Sequence, residues 1–413
     1  MTATLTPPAS VRAHRDPNVL RWLGAYTSSM LGDSVYYLAL SWAAVQAGTP
    51  AQAGLVMSAS ALPRAVLMLG GGVIADRLGP RRVVIGSDAV RCAAVLAVAA
   101  LLFLTRPGLW PLALLACVFG AVDAVFMPAV GALPARITGR DQLARVQGLR
   151  GLAVRAASVV GAPLGGLGVA LGGAPAAFAL AGALIALSLP LLLSVRIRDL
   201  PGGPAGTERR TTARADLKAG LRYVRRHRVL GPLMIAIALG DLGFVGPLNV
   251  GLTLLADHRG WGAAGMGWVL AGFGTGAGAA SLLLAARGRL PRAGLVTGCA
   301  CAAGSVAVGA LAFVPGLAAA VGTALLVGLL TGLSGALCGA LLQTQADPAY
   351  LGRVTAVSSL VSLGLTPLSM PFAAAAAGAF GLGPVYTVSA AVCGLGGLVF
   401  LAVPELRRAE LPG

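Results

Sequence analysis

Twelve apolar runs alternate with short polar segments along the chain. Each run has roughly 20 residues or more, which is the length of an α-helix that crosses the hydrocarbon core of a bilayer. We number the predicted spans 1 to 12 in this order. They lie at about residues 20–45, 52–75, 82–104, 110–134, 143–170, 174–195, 230–255, 263–286, 293–314, 317–342, 352–378 and 383–404.

Composition points to the same class of protein. Of the 413 residues, 57% are hydrophobic and only 11% are charged, and the mean hydropathy is +0.84. A soluble domain of this size does not need so large an apolar fraction for its core. The 59 glycines suit close contact between helices in lipid. The sequence therefore predicts an all-α, polytopic membrane protein.

The polar segments divide the chain into two sets of six spans. We expect N- and C-terminal bundles at residues 19–195 and 229–404, and short cytoplasmic tails at 1–18 and 405–413. The first tail lacks the apolar core of a cleavable signal. The linker 196–228 holds nine arginines and the only lysine. Its basic face is expected either to lie against anionic lipid headgroups or to be merely solvated.

The arginines of the loops predict the orientation. They follow the even-numbered spans, on the side of the N-terminus, whereas the opposite loops carry only Arg106 and Arg259. By the positive-inside rule both termini are cytoplasmic. The formal net charge of +17 is distributed over these loops and does not form one basic patch. We therefore expect no nucleic-acid partner.

No cofactor is expected. The six cysteines all fall inside apolar runs, where they are typical small buried residues. Their spacing supports neither a disulfide nor a metal site. No nucleophile and base are placed together in the sequence, so we predict that the protein is not an enzyme.

The two halves are related by an internal repeat with an offset of 208 residues. Several short matches at one register, in corresponding spans, predict two parallel six-helix repeats. The matching pairs are Leu31-Gly32-Asp33 with Leu239-Gly240-Asp241, Gly131-Ala132-Leu133 with Gly339-Ala340-Leu341, Arg145 with Arg353, and Pro163 with Pro371.

The hinge between spans 2 and 3 reads Gly-Val-Ile-Ala-Asp-Arg-Leu-Gly-Pro-Arg-Arg from residue 72. It resembles the signature loop of the major facilitator superfamily, G-x-L-a-D-R-x-G-R-[KR]-x-x-L. The residues that fit are Gly72, Asp76, Arg77, Gly79 and Arg81. Ile74 replaces a leucine, and Pro80 replaces an arginine, whose role then passes to Arg81 or Arg82. The second half has only a decayed copy, with Ala286 near the expected acid.

The resemblance implies twelve transmembrane helices in two pseudo-symmetric bundles, and a gate at the hinge. In this family the hinge acid meets the start of span 11, so Asp76 is expected to latch the outward-open state. Asp88 and Arg91 lie one turn apart near the start of span 3. We predict that they form a local pair that supports the hinge.

A second motif in span 5 resembles the exporter-associated sequence G-P-x-x-G-G of the same family, with the proline shifted by one place. A proline beside glycines favours a bent helix that packs closely on its neighbour, either as a seal or as an ordinary kink. The motif residues are Gly161, Pro163, Gly165 and Gly166.

Few charges lie inside the spans, and each is costly unless it faces the bundle interior or a water-filled cavity. They are Asp33 in span 1, Arg64 in span 2, Asp123 in span 4 and Asp241 in span 7. Spans 1, 4, 7 and 10 line the central cavity in the family, so the resemblance places the three acids where substrate and proton bind. Tyr36, Tyr37, Phe126 and Phe244 share helix faces with these acids. Arg64 is expected to pair with Asp33 or Asp123, and structural ion pairs are the alternative interpretation.

These features together resemble twelve-span bacterial exporters of drugs, macrolides or siderophores. We expect a monomeric, proton-coupled exporter of a small molecule in a bacterial cytoplasmic membrane, working by alternating access. Asp33 and Asp123 are expected to share a titrating proton, while Asp241 contacts substrate. Two alternatives are a proton-coupled importer of a nutrient and a membrane sensor or partner protein that transports nothing.

Overall fold

A computed structural model describes residues 16–105, 108–138, 142–197, 213–287, 292–347 and 350–410. These residues are almost entirely helical, and no strand occurs among them. The helices of spans 1 to 6 are Pro17–Ala47, Pro50–Ser58 with Ala61–Leu78, Pro80–Leu104, Trp110–Ile137 and Leu143–Ser194. Those of spans 7 to 12 are Leu230–Gly246 with Leu252–His258, Gly262–Arg287, Ala293–Ala310, Leu317–Gln345, Leu351–Phe380 and Leu382–Ala402.

The described helices make twelve spans. Eight stretches are long and apolar enough by themselves to cross a bilayer, and one of these, Arg145–Ser194, contains both span 5 and span 6. Spans 1, 2 and 11 complete the number. The predicted all-α membrane fold is confirmed, and two short helices, Ala213–Arg226 and Pro404–Arg407, precede span 7 and follow span 12.

The backbone departs from the predicted pattern at three places. Spans 2 and 7 are not continuous α-helices, and the loop predicted between spans 5 and 6 is reduced to two residues. Span 2 is divided between Ser58 and Ala61, and span 7 contains a π-helical segment, Pro247–Gly251. Spans 5 and 6 follow one another without a loop, because the chain turns at Gly172 and Gly173 alone. Gly173 has a φ of 71°, a conformation that glycine adopts without a steric penalty.

The hinge between spans 2 and 3 is a turn of one residue. Gly79 has a φ of 83°, and Pro80 begins the helix of span 3. Glycine permits the positive φ, while proline at the first helical position loses no hydrogen bond. The sequence thus stops one helix and starts the next within two residues.

The repeat register is visible in the packing of the helices. Gly120 of span 4 lies against the carbonyl group of Ser60 in span 2, and Gly328 of span 10 lies against that of Phe273 in span 8. Gly120 and Gly328 are related by the offset of 208 residues. Small residues let the backbones approach at both places.

The halves meet through two pairs of spans, because span 2 packs on span 11 and span 5 packs on span 8. The hydrogen bonds described between the halves join Ser41 to Thr253 and the Gln46 side chain to Asp257, the latter at 2.7 Å. Ser41 and Gln46 lie near the end of span 1 that is remote from the N-terminus. That end of the molecule is therefore closed between the halves.

Candidate functional site

Arg91 lies at the centre of a buried charge cluster in the N-terminal half. Its side chain is 0% exposed, and its Nη1 donates to both oxygens of Asp33 at 3.0 and 2.8 Å. Its Nη2 donates to Asp88 on the same helix, and Asp123 Oδ1 lies 3.7 Å from Nη1. One guanidinium thus joins carboxylates from spans 1, 3 and 4.

Two serine hydroxyls donate further hydrogen bonds to Asp88. Ser188 of span 6 donates to Oδ2 at 2.6 Å, and Ser29 of span 1 donates to Oδ1 at 3.1 Å. Buried carboxylates are costly unless they are paired and their lone pairs are satisfied. Asp88 meets both conditions, so it stabilises the arrangement of spans 1, 3 and 6.

Arg64 brings a second guanidinium to the cluster. Its Nη2 lies 3.3 Å from Asp123 Oδ2, and its side chain is 29% exposed. Of the two partners predicted for Arg64, the structure therefore shows Asp123. Two guanidinium groups then face three carboxylates, which leaves one formal negative charge uncompensated when all are ionised. Such a cluster can take up one proton and become formally neutral.

The aromatic residues predicted near these acids occupy two different environments. Phe126 is buried, and its ring centroid lies 4.1 Å from the Arg91 guanidinium carbon, in a cation–π contact. Tyr36 is also buried and stacks on Phe119. Tyr37 forms a side-chain hydrogen bond with Asp123 and also lines a cavity of about 260 Å³ between the halves, together with Asn249 of span 7.

Asp241 lies in a different setting, on the wall of a cavity of about 640 Å³ in the C-terminal half. Ser362 of span 11 donates a hydrogen bond to its Oδ2. Phe244 and Phe273 line the same cavity, and Arg155 of span 5 reaches it from the N-terminal half. The cavity combines aromatic surface with one acid and one cation, a composition suited to a small organic ligand.

The described arginines of the hinge, Arg77 and Arg81, do not reach the charge cluster. Arg77 is exposed at the end of span 2, and Arg81 donates from Nε and Nη2 to the carbonyls of Leu192 and Leu193, at 3.3 and 2.6 Å. Arg81 therefore caps the end of span 6. The Asp76 side chain, which is predicted to form the latch, and the surroundings of the motif residue Gly72 lie outside what the structure describes.

The span 5 motif is a packing surface on both of its sides. A β-carbon added at Gly161 would lie 3.3 Å from the Leu31 carbonyl oxygen, and Gly165 faces Val35, so both contact span 1. Gly166 faces Ala263 of span 8, and Gly267 faces the backbone at Pro163. The motif therefore holds span 5 between span 1 of its own half and span 8 of the other.

Sequence reasoning misplaced the pair of Asp88 and Arg91. Both residues were expected near the start of span 3 in support of the hinge. Span 3 begins at Pro80, so Arg91 lies about 16 Å along the helix, roughly halfway across the hydrocarbon core. The pair does form, but it belongs to the central cluster. Counting residues from the proline would have shown its depth.

Other residues of the two sites were not predicted at all. Ser29 and Ser188 carry no charge and have no distinctive spacing, so nothing in the sequence marks them as partners of Asp88. Ser362 is equally inconspicuous. Arg155 lies on the wall of the cavity that contains Asp241, and no motif or spacing in the sequence marks it for that position.

Comparisons with known proteins agree with this architecture. The family model described as Major Facilitator Superfamily matches residues 22–363. The enterobactin exporters EntS of Shigella boydii serotype 18 and of Escherichia coli O139:H28 are each 28% identical to this chain over 370 residues, which is 86% of this chain and 84% of theirs.

Solved transporter structures share the fold. A mutant of the nucleoside transporter NupG superimposes with a TM-score of 0.71 at 13% identity and covers 94% of this chain and 100% of its own. A bacterial homolog of the human lysosomal transporter Spinster, inward-facing and occupied, gives a TM-score of 0.69 at 14% identity over 96% of this chain and 97% of its own. At such low identity these structures show the fold alone.

Proposed function

Because the chain belongs to the major facilitator superfamily, we propose that it is a secondary transporter that exports a small drug-like or natural-product molecule in exchange for protons. The relatives named as enterobactin exporters support the outward direction. The observation that carries proton exchange is the cluster around Arg91, where three carboxylates meet two guanidinium groups inside the membrane.

We assign the proton and the substrate to different halves. The proton resides on Asp33 and Asp123, which share Arg91, and the substrate binds in the cavity that contains Asp241. Protonation of Asp33 weakens its ion pair with Arg91, because the attraction requires the charged carboxylate. Span 1 is then less firmly held to span 3.

Span 1 connects this event to the interface between the halves. Four residues beyond Asp33, Tyr37 lines the cavity between the halves, and further along Ser41 bonds to Thr253 of span 7. A shift of span 1 therefore changes the contacts at the interface where the halves separate in alternating access. With both termini in the cytoplasm, as the arginines predict, the closed end faces outward and the cycle ends by releasing substrate outside.

Transport in inverted membrane vesicles tests the proposal, with enterobactin as the first substrate because of the names of the relatives. An acidic vesicle interior should drive accumulation, and an uncoupler should abolish it. Accumulation that persists without a proton gradient would exclude coupling. Uptake into right-side-out vesicles under an inward proton gradient would indicate import.

Proton release on substrate addition to the detergent-solubilised protein locates the coupling site. We expect release from the wild type and from Asp241→Asn, which should change mainly the affinity for substrate. Asp33→Asn and Asp123→Asn should release no proton. If Asp241→Asn alone abolishes release, the coupling site lies in the C-terminal half and the assignment is wrong.

A further inference from the structure

A basic cleft opens where spans 1, 3 and 6 meet at the surface of the N-terminal half. Its volume is about 730 Å³, and three arginines line it. Arg21 belongs to span 1, Arg81 to span 3, and Arg196 follows the end of span 6. The other lining residues are the neighbours of Arg196 in the segment 193–197.

The walls of this cleft are fixed by hydrogen bonds. The Asn18 side chain donates to the Arg196 carbonyl and accepts from the Arg196 N–H, both at 2.7 Å, so span 1 holds the chain after span 6. Arg81 holds the other side by donating to the carbonyls of Leu192 and Leu193. The three cations are thus brought together by backbone contacts that do not neutralise them.

No carboxylate neutralises these arginines among the residues that the structure describes. The described salt bridges of the N-terminal half involve Arg64 or Arg91, and none of them joins a carboxylate to Arg21, Arg81 or Arg196. Asp16, which is near Arg21 in sequence, accepts from the Asn18 N–H at the start of span 1. Like charges held together repel, and an anion that bridges them gains charge-assisted hydrogen bonds. The cleft is therefore electrostatically suited to an anion.

The depth of the cleft indicates which anion. Its arginines lie at the fifth residue of span 1, at the second residue of span 3 and just past the end of span 6, which is the level of the membrane surface. Apolar side chains belong to its lining, because Leu193 and Ile197 line the cleft and Leu193 is 60% exposed. At such a boundary the phosphate of a lipid can contact the arginines while its acyl chains contact the apolar side chains.

We propose that this cleft binds the phosphate headgroup of an anionic phospholipid from the leaflet on the side of the termini. The bound lipid bridges spans 1, 3 and 6, which also supply Asp33, Arg91 and Ser188 to the charge cluster. Its headgroup therefore braces the helices that position that cluster.

Lipid binding by the full-length protein in detergent, measured by native mass spectrometry, tests the proposal. The probes are phosphatidylglycerol, phosphatidylcholine and inorganic phosphate. The wild type should bind phosphatidylglycerol about tenfold more tightly than phosphatidylcholine. The double variant Arg21→Gln/Arg196→Gln should lose most of that preference. Arg81 is kept, because it caps span 6.

Arg82→Gln is the matched control, since Arg82 is exposed beside Arg81 but does not line the cleft. It should retain the wild-type preference. An equal loss in Arg82→Gln would show that general surface charge attracts the lipid and would overturn the site. Equal binding of both lipids would overturn it as well. Displacement of the lipid by millimolar inorganic phosphate would assign the cleft to a soluble anion instead.

Discussion

Asp33 and Asp241 occupy the same position in the two halves, 208 residues apart, yet their surroundings differ. Asp33 is bound by a buried guanidinium, and its neighbour Gly32 packs closely against the backbone of span 6 at Ala181. Asp241 is bound by a serine and lines an open cavity. One repeat position thus has two chemical environments, a buried ion pair in the N-terminal half and the wall of a cavity in the C-terminal half. The repeat places both acids at the same position along their helices, while the side chains of the neighbouring helices determine the partners of each acid.

The sharpest test of this comparison is to remove Arg91. Arg91→Met leaves Asp33, Asp88 and Asp123 without their shared partner, and breaking a buried ion pair in this way costs about 3–5 kcal/mol. We expect little folded protein, measured by fluorescence-detected gel filtration and thermal unfolding. Asp241→Asn is the counterpart and should unfold within a few degrees of the wild type. Similar losses in both variants would contradict the comparison.

Two glycines beside the acids give a matched pair. A β-carbon added at Gly32 would lie 2.9 Å from the Ala181 carbonyl oxygen, whereas at Gly240 it would meet nothing within 4 Å. Overpacking predicts that Gly32→Ala lowers the free energy of unfolding by about 2 kcal/mol and that Gly240→Ala does not. Thermal unfolding in detergent measures both. A stable Gly32→Ala would show that spans 1 and 6 can separate freely.

The two serines that bind the acids should also contribute unequally to stability, with the larger contribution in the N-terminal half. Ser188→Ala removes a donor from the buried Asp88 and should cost about 1.5 kcal/mol of stability. Ser362→Ala should cost less, because water in the cavity can replace its hydroxyl beside Asp241. Its effect should appear instead as a weaker apparent affinity in transport. The reverse order of stability would place the open site in the N-terminal half.

The smallest expected effect concerns the hinge, which is intact only in the N-terminal half. Asp76→Asn removes the charge proposed to meet the start of span 11, an interaction of about 0.3–1 kcal/mol, so transport should fall by at most about fivefold. Expression and thermal unfolding should not change. Arg292→Gln, in the decayed copy of the motif, serves as the control and should transport normally. Unchanged transport in Asp76→Asn would disprove the latch.

The sequence predicted the spans well, because the thickness of the bilayer sets the length of the apolar run that each span needs, and that length is a local property of the sequence. It also predicted a hinge between spans 2 and 3, which the structure shows as a turn at Gly79. The division of span 2 was missed. It depends on a contact with another helix, since Gly120 packs against the backbone at Ser60.

The candidate site was predicted only in part, for a related reason. Asp33, Arg64 and Asp123 stand out because charges are rare inside apolar runs, and their common depth follows from counting along each helix. Arg91 was assigned to a local pair because its partner Asp88 is one turn away in sequence. Its contact with Asp33 depends on how spans 1 and 3 face one another, which no single helix reveals.

The π-helical segment Pro247–Gly251 places one extra residue in span 7. An added residue rotates everything beyond it by about 100° around the helix axis. The hydrogen bonds of Thr253 with Ser41 and of Asp257 with Gln46 both lie beyond this point. Loss of one residue here would turn both partners away from the other half. The number of residues in span 7 thus determines which side chains join the halves at the end of span 1 remote from the N-terminus, and a deletion, more than any substitution, would give the two halves a new set of partners.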